Sequence, residues 1–187
     1  MDLSEVISDL AAAIVAVDRC GQPFRNFQPG VGPYGEPQLV KLLASKLNQS
    51  PKYHGAARTM RTPDLLIPEA WALEFKITRP FGDNGKEAEN WSVNLLHPYP
   101  GNVSAVGDCF KLKNYTGPER KGIVVIGYEH VPPRIDLKPL VECFELIAGQ
   151  IMGFRLSERI ERSHSGLVHP IHQSLRLFAW ELMNDSA

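Results

Sequence analysis

Thr62-Pro63-Asp64-Leu65-Leu66-Ile67-Pro68-Glu69-Ala70-Trp71-Ala72-Leu73-Glu74-Phe75-Lys76-Ile77-Thr78 is the stretch that decides the fold. Leu65 to Ile67 is a short apolar run, Trp71 to Thr78 alternates, and Pro68-Glu69-Ala70 joins them, the pattern of a β-hairpin. Successive strand residues point to opposite faces. Leu73, Phe75 and Ile77 therefore share an apolar face, and Glu74, Lys76 and Thr78 share the other. With Asp64 facing the same side, the hairpin brings two carboxylates and an ammonium together.

Helical patterns flank the hairpin. Upstream, Leu3, Val6, Ile7, Leu10, Ile14 and Val17 form one stripe capped by Asp2, and Leu39, Leu42, Leu43 and Leu47 form a second after Pro37. Between them, Gln22 to Gly35 is rich in proline and glycine and reads as a packed loop. Tyr53 to Met60 is a weak strand candidate, marked only by Tyr53-His54-Gly55-Ala56-Ala57. Downstream, residues 79–102 make a long connection containing a short helix, then a helix near Val103 to Lys113 precedes a buried strand, Gly122 to Tyr128. Asp136 caps a helix through about Met152. Residues 136–187 are expected to be a helical region. Within it, Arg155, Arg159 and Arg162 repeat at helical spacing, and Glu158 stands four residues before Arg162. Ile171, Leu175, Phe178 and Leu182 also fit a helix, although Leu-Phe-Ala-Trp has strand-like content.

Composition narrows the function classes. The 187 residues are 43% hydrophobic and 22% charged, which suits one globular domain over 1–187 with a core near 36–128. The longest strictly apolar run, Leu10 to Val17, is too short for a membrane span. Acidic Asp2, Glu5 and Asp9 stand where a secretory leader carries basic residues, so the expected location is the cytoplasm. Cys20, Cys109 and Cys143 offer neither a disulfide framework nor a CxxC site. Net charge is −1, so any nucleic-acid binding must rest on local basic patches.

The residue types at the hairpin point to hydrolysis of phosphodiesters. Paired carboxylates offer oxygen ligands suited to Mg²⁺, which keeps several waters. A divalent ion so held supplies a nucleophile at neutral pH and relieves charge on the phosphate. The Lys76 ammonium would hold the attacking water or the developing phosphorane oxygens.

Pro63-Asp64 followed by Glu74-Phe75-Lys76 resembles the motif of the PD-(D/E)XK nuclease superfamily, which includes restriction endonucleases, junction resolvases and repair nucleases. The resemblance spans residues 36–128. It implies an α/β (α+β) restriction-endonuclease-like core, a central mixed sheet in the order helix-strand-strand-strand-helix-strand, flanked by additional helices. It further implies that Asp64 and Glu74, with the Phe75 backbone carbonyl, hold Mg²⁺ or Mn²⁺, that Lys76 is catalytic, and that Glu36 is a further acidic member of the site. The implied activity is a metal-dependent DNA endonuclease of restriction or repair type leaving 5′-phosphate. Cleavage of both strands would call for a homodimer.

Lys52, Arg58 and Arg61 precede the motif with no intervening acid and suit phosphate contacts, as do Arg79 and Lys86. The 79–102 connection adds Asn84, Asn90, Trp91, Asn94, His97 and Tyr99, types that read or stack on bases. Three competing uses stand beside this reading: a non-catalytic DNA-binding or assembly module that keeps the fold, a glycoside hydrolase using Asp64 and Glu74, and a zinc site at His169 and His172. Proline separates those histidines and a third ligand is lacking nearby.

Overall fold

In the chain's computed structural model, which describes residues 1–99, 101 and 103–183, the apolar stripes pack as helices against a single sheet. Helix α1 (Leu3–Arg19) begins where the Asp2 Oδ1 accepts from Leu3 N at 2.8 Å and ends before Gly21, whose φ of +62° a helix cannot continue. Helix α2 (Glu36–Leu47) starts with Pro37 in its first turn and buries Leu39, Val40, Leu43, Ala44 and Leu47.

Of the strand expected over residues 53–60, only Arg58–Thr59 forms. Pro51–Tyr53 is a 3-10 turn, and His54 and Gly55 are both left-handed, which no strand accommodates. Asn48 secures this corner by bonding both the N–H and the carbonyl of Ala57. Strand β1 is only Arg58–Thr59, and it pairs antiparallel with β2 (Leu65–Ile67). β2 pairs antiparallel with β3 (Trp71–Thr78), Leu65 opposite Leu73, as the hairpin reading requires.

After the short α3 (Val93–Leu96), helix α4 (Ala105–Lys113) is capped by the Ser104 hydroxyl, which accepts from Gly107 N at 2.9 Å. β4 (Arg120–Glu129) then runs parallel to β3 along its whole length, the one parallel pair of the sheet. This is the helix-strand-strand-strand-helix-strand order expected for 36–128. Helix α5 (Lys138–Glu145) continues into a π-helical turn, Leu146–Ile151.

The C-terminal region departs from expectation. Beyond residue 154 it is not helical but forms β5 (Arg155–Leu156), β6 (Ile160–Ser165) and β7 (Ser174–Met183), with β7 antiparallel to β4 and flanked by the other two. The reason is two-sided burial. Leu175, Leu177 and Ala179 pack with α1 and α2, whereas Phe178, Trp180 and Leu182 pack with α4 and α5. A run apolar on both faces satisfies a central strand, and tertiary packing overrides the helical spacing. Arg155, Arg159 and Arg162 accordingly share no helix face. Arg162 donates to Ser4 and Ser8 on α1, and Arg159 pairs with Glu145.

The result is a seven-stranded mixed sheet in the order β1-β2-β3-β4-β7-β5, with β6 also on β7, between two helical layers. Among the described residues no helix is long and apolar enough to cross a membrane.

Candidate active site

Pro63 brings no backbone N–H to the β2–β3 ladder, and the pairing stops at Leu65 and Leu73. One step further the register sets Asp64 opposite Glu74, so the two side chains share a face. Where the strands part, Asp64 Oδ2 accepts from Phe75 N at 2.8 Å. The carboxylate takes the place of the missing strand.

Both faces of β3 are buried, so Glu74, Lys76 and Thr78 do not form the solvated face of an edge strand. Glu74 is 1% exposed, and neither of its oxygens has a hydrogen-bond donor. Lys111 Nζ stands 3.8 Å from Glu74 Oε2, which is ion-pair distance rather than a hydrogen bond. Asp64 can serve Glu74 only by sharing a proton. Burial, then the negative charges of Asp64 and Asp108, push Glu74 up to about 9.

Lys76 Nζ is held by Asp108 Oδ2 at 2.7 Å, the Phe75 carbonyl at 2.8 Å and Glu36 Oε1 at 3.3 Å. Burial pulls this ammonium down, but Asp108 and Glu36 outweigh it and hold it above the ordinary lysine value. Asp108 Oδ1 also accepts from Lys111 Nζ at 2.5 Å. Burial raises Asp108 despite both lysines, and burial raises Glu36 despite Lys76.

Glu36, Asp64, Glu74 and Asp108 thus surround Lys76 and Lys111, and the four carboxylates outnumber these two ammoniums, with the Arg79 guanidinium near enough to act on Glu36. Buried charge of that kind is costly without a counter-ion. Among the described residues no three His, Cys, Asp or Glu side chains form a ready-made metal cage. The available donor set is two carboxylates, one of them with both oxygens unpaired, beside a backbone carbonyl with a second lone pair. That set fits a hard cation that retains water.

Asp108 and Lys111 escape the reading of the hairpin. The signal for Asp108 is its position: Ala105, Asp108, Cys109 and Leu112 lie at the spacing of one buried helix stripe, and an acid on that stripe demands a partner. Lys111, one turn on, supplies part of it.

A cleft of about 540 Å³ opens from Asp64 between the start of α2 and β1, with Gln38, Lys41, Met60 and Arg61 on its walls. Arg61 is exposed on this side, Arg58 is exposed on the strand position next to Thr59 and acts on Tyr115, and Lys86 is exposed on the 81–87 loop. Lys52 instead turns to α1 and pairs with Glu5 at 2.7 Å and Asp9 at 2.6 Å. Arg79 points inward, donating to the Tyr34 carbonyl at 2.9 Å.

His169 and His172 stack at 4.3 Å without forming a metal site. His169 Nε2 bonds Asp83 at 2.8 Å while its Nδ1 accepts from Ile171 N and His172 N, and His172 Nε2 bonds the Phe81 carbonyl at 2.9 Å. They staple the 81–87 loop to the body of the protein.

No family model, curated protein or solved structure matches the chain at a significant level.

Proposed function

We propose that the chain is a metal-dependent phosphodiesterase acting on DNA, with Asp64 and Glu74 at its centre. The observation that carries this reading is the Glu74 carboxylate, buried, without a donor, and beside Asp64 at the point where β2 and β3 part. A protein core keeps such a group only with compensation.

Asp64, Glu74 and the Phe75 carbonyl would hold Mg²⁺, with Mn²⁺ able to substitute, and the ion would supply water activation and charge neutralisation at the phosphate. Asp64 is oriented for this by the Phe75 N–H, and Glu74 is fixed by its place on a central strand. Asp108 keeps both neighbouring lysines cationic, ready to offset charge that develops on the phosphoryl oxygens. The cleft beside Asp64, with Lys41 and Arg61, would seat the strand flanking the scissile bond.

The site serves one strand, so cutting a duplex would require two copies related by a two-fold axis. Restriction or repair cleavage in the cytoplasm leaving 5′-phosphate ends is the specific form proposed.

The test is nicking of supercoiled plasmid in Mg²⁺ or Mn²⁺, with EDTA and Asp64→Asn as controls. Metal-dependent nicks that DNA ligase reseals, lost in Asp64→Asn, support the reading. A metal-replete protein that binds DNA but never nicks it contradicts the reading in favour of a binding module.

A further inference from the structure

The motif's lysine and the lysine of α4 share one carboxylate but differ in what they have left to offer. An ammonium has three donors. Those of Lys76 are directed to the Phe75 carbonyl at 2.8 Å and Glu36 at 3.3 Å, its charge is paired with Asp108 Oδ2 at 2.7 Å, and its side chain is 4% exposed. Lys111 is bonded to Asp108 Oδ1, lies 3.8 Å from Glu74 Oε2, and is 40% exposed. A substrate phosphate arrives from solvent, so it meets Lys111 first.

On the phosphodiesterase reading above, we infer that Lys111 is the catalytic ammonium that contacts the substrate phosphate, and that Lys76 is a positioning residue. Lys76 cross-links α2, β3 and α4 by tying Glu36, the Phe75 carbonyl and Asp108 together. Asp108 fixes Lys111 beside Glu74 from below, leaving its outer donors for a non-bridging phosphoryl oxygen. Lys111 transfers no proton in this role. It offsets negative charge that is larger in the transition state than in the bound substrate.

The experiment compares Lys111→Ala and Lys111→Gln with the unmodified protein, using plasmid nicking in Mn²⁺ and melting temperature. Lys111 also pairs with the buried Asp108, so melting should fall in both variants, and rates are compared per folded molecule well below the transition. The rate at saturating plasmid should fall by about 10²-fold or more, with half-saturation little altered. A readout independent of turnover uses Asp64→Asn and Asp64→Asn/Lys111→Ala binding a short random-sequence duplex in Ca²⁺. The added substitution should lower the slope of log affinity against log salt by about 0.9, one phosphate contact. Nicking by the unmodified protein that persists at full rate in both Lys111 variants overturns the inference alone. Absence of nicking by the unmodified protein overturns the phosphodiesterase reading and takes the inference with it.

Discussion

Two of the buried polar clusters among the described residues are built on opposite terms. In the histidine corner, Asp18 accepts from Val31 N and Val168 N, and Asp83 takes Gln28 N and His169. What remains unpaired there is neutral, the Tyr128 hydroxyl and His172 Nδ1. In the acidic corner the unpaired atoms are both oxygens of Glu74, which burial and the neighbouring acids push up to about 9, and Asp108 Oδ2, and the surrounding acids outnumber the lysines. The satisfied corner holds structure, and on the proposed reading the acidic corner is completed by a cation.

The largest expected effects separate the corners by kind. Asp64→Asn should lower nicking at least about 10²-fold while the protein melts near its usual temperature, because an amide oxygen still accepts from Phe75 N. Asp18→Ala should do the reverse. It strands two buried N–H groups, costs about 3 kcal/mol, lowers the melting temperature by roughly 6–12 °C, and leaves activity per folded molecule unchanged.

Next come pH effects of opposite sign, read by denaturant unfolding of metal-free protein. Burial pushes His172 down to about 4, so the unfolded chain binds its proton first as pH falls. Its contribution is complete above about pH 6.5 and is lost towards pH 4, about 3 kcal/mol in all. Glu74 is raised from 4.5 to about 9, so the folded state binds the proton more tightly. Its contribution is complete at low pH and lost as pH rises from about 4.5 to 9, at no more than about 1.4 kcal/mol per pH unit. Glu74→Gln should flatten the alkaline slope and leave the acid slope intact, and Mn²⁺ should oppose the alkaline loss. An alkaline slope that persists in Glu74→Gln would place the titrating group elsewhere.

The smallest effects concern the DNA surface. Arg58→Ala and Arg61→Ala should each reduce the salt slope of duplex binding by about 0.9. Lys52→Ala should not, because Glu5 and Asp9 already hold that ammonium.

What the sequence made legible follows from which forces act locally. The hairpin, α1 and α2 each carry their pattern in one short continuous stretch, as do β3 and β4 at the two ends of their crossover, and Asp64, Glu74 and Lys76 come together as alternation and register demand. Ser174 to Met183 carries two patterns at once, and only the existence of a core on each face decides for strand. The exposure of Lys111 and the inward turn of Arg79 depend on partners 37 and 45 residues away and leave no mark in local spacing. Asp108 was legible in principle, as an acid on an apolar helix stripe.

The most direct test of the central claim is anomalous diffraction from crystals soaked in Mn²⁺. A single strong peak about 2.1 Å from carboxylate oxygens of both Asp64 and Glu74 is the predicted result. A peak elsewhere, or Glu74 still facing Asp64 with no ion at saturating Mn²⁺, would contradict it.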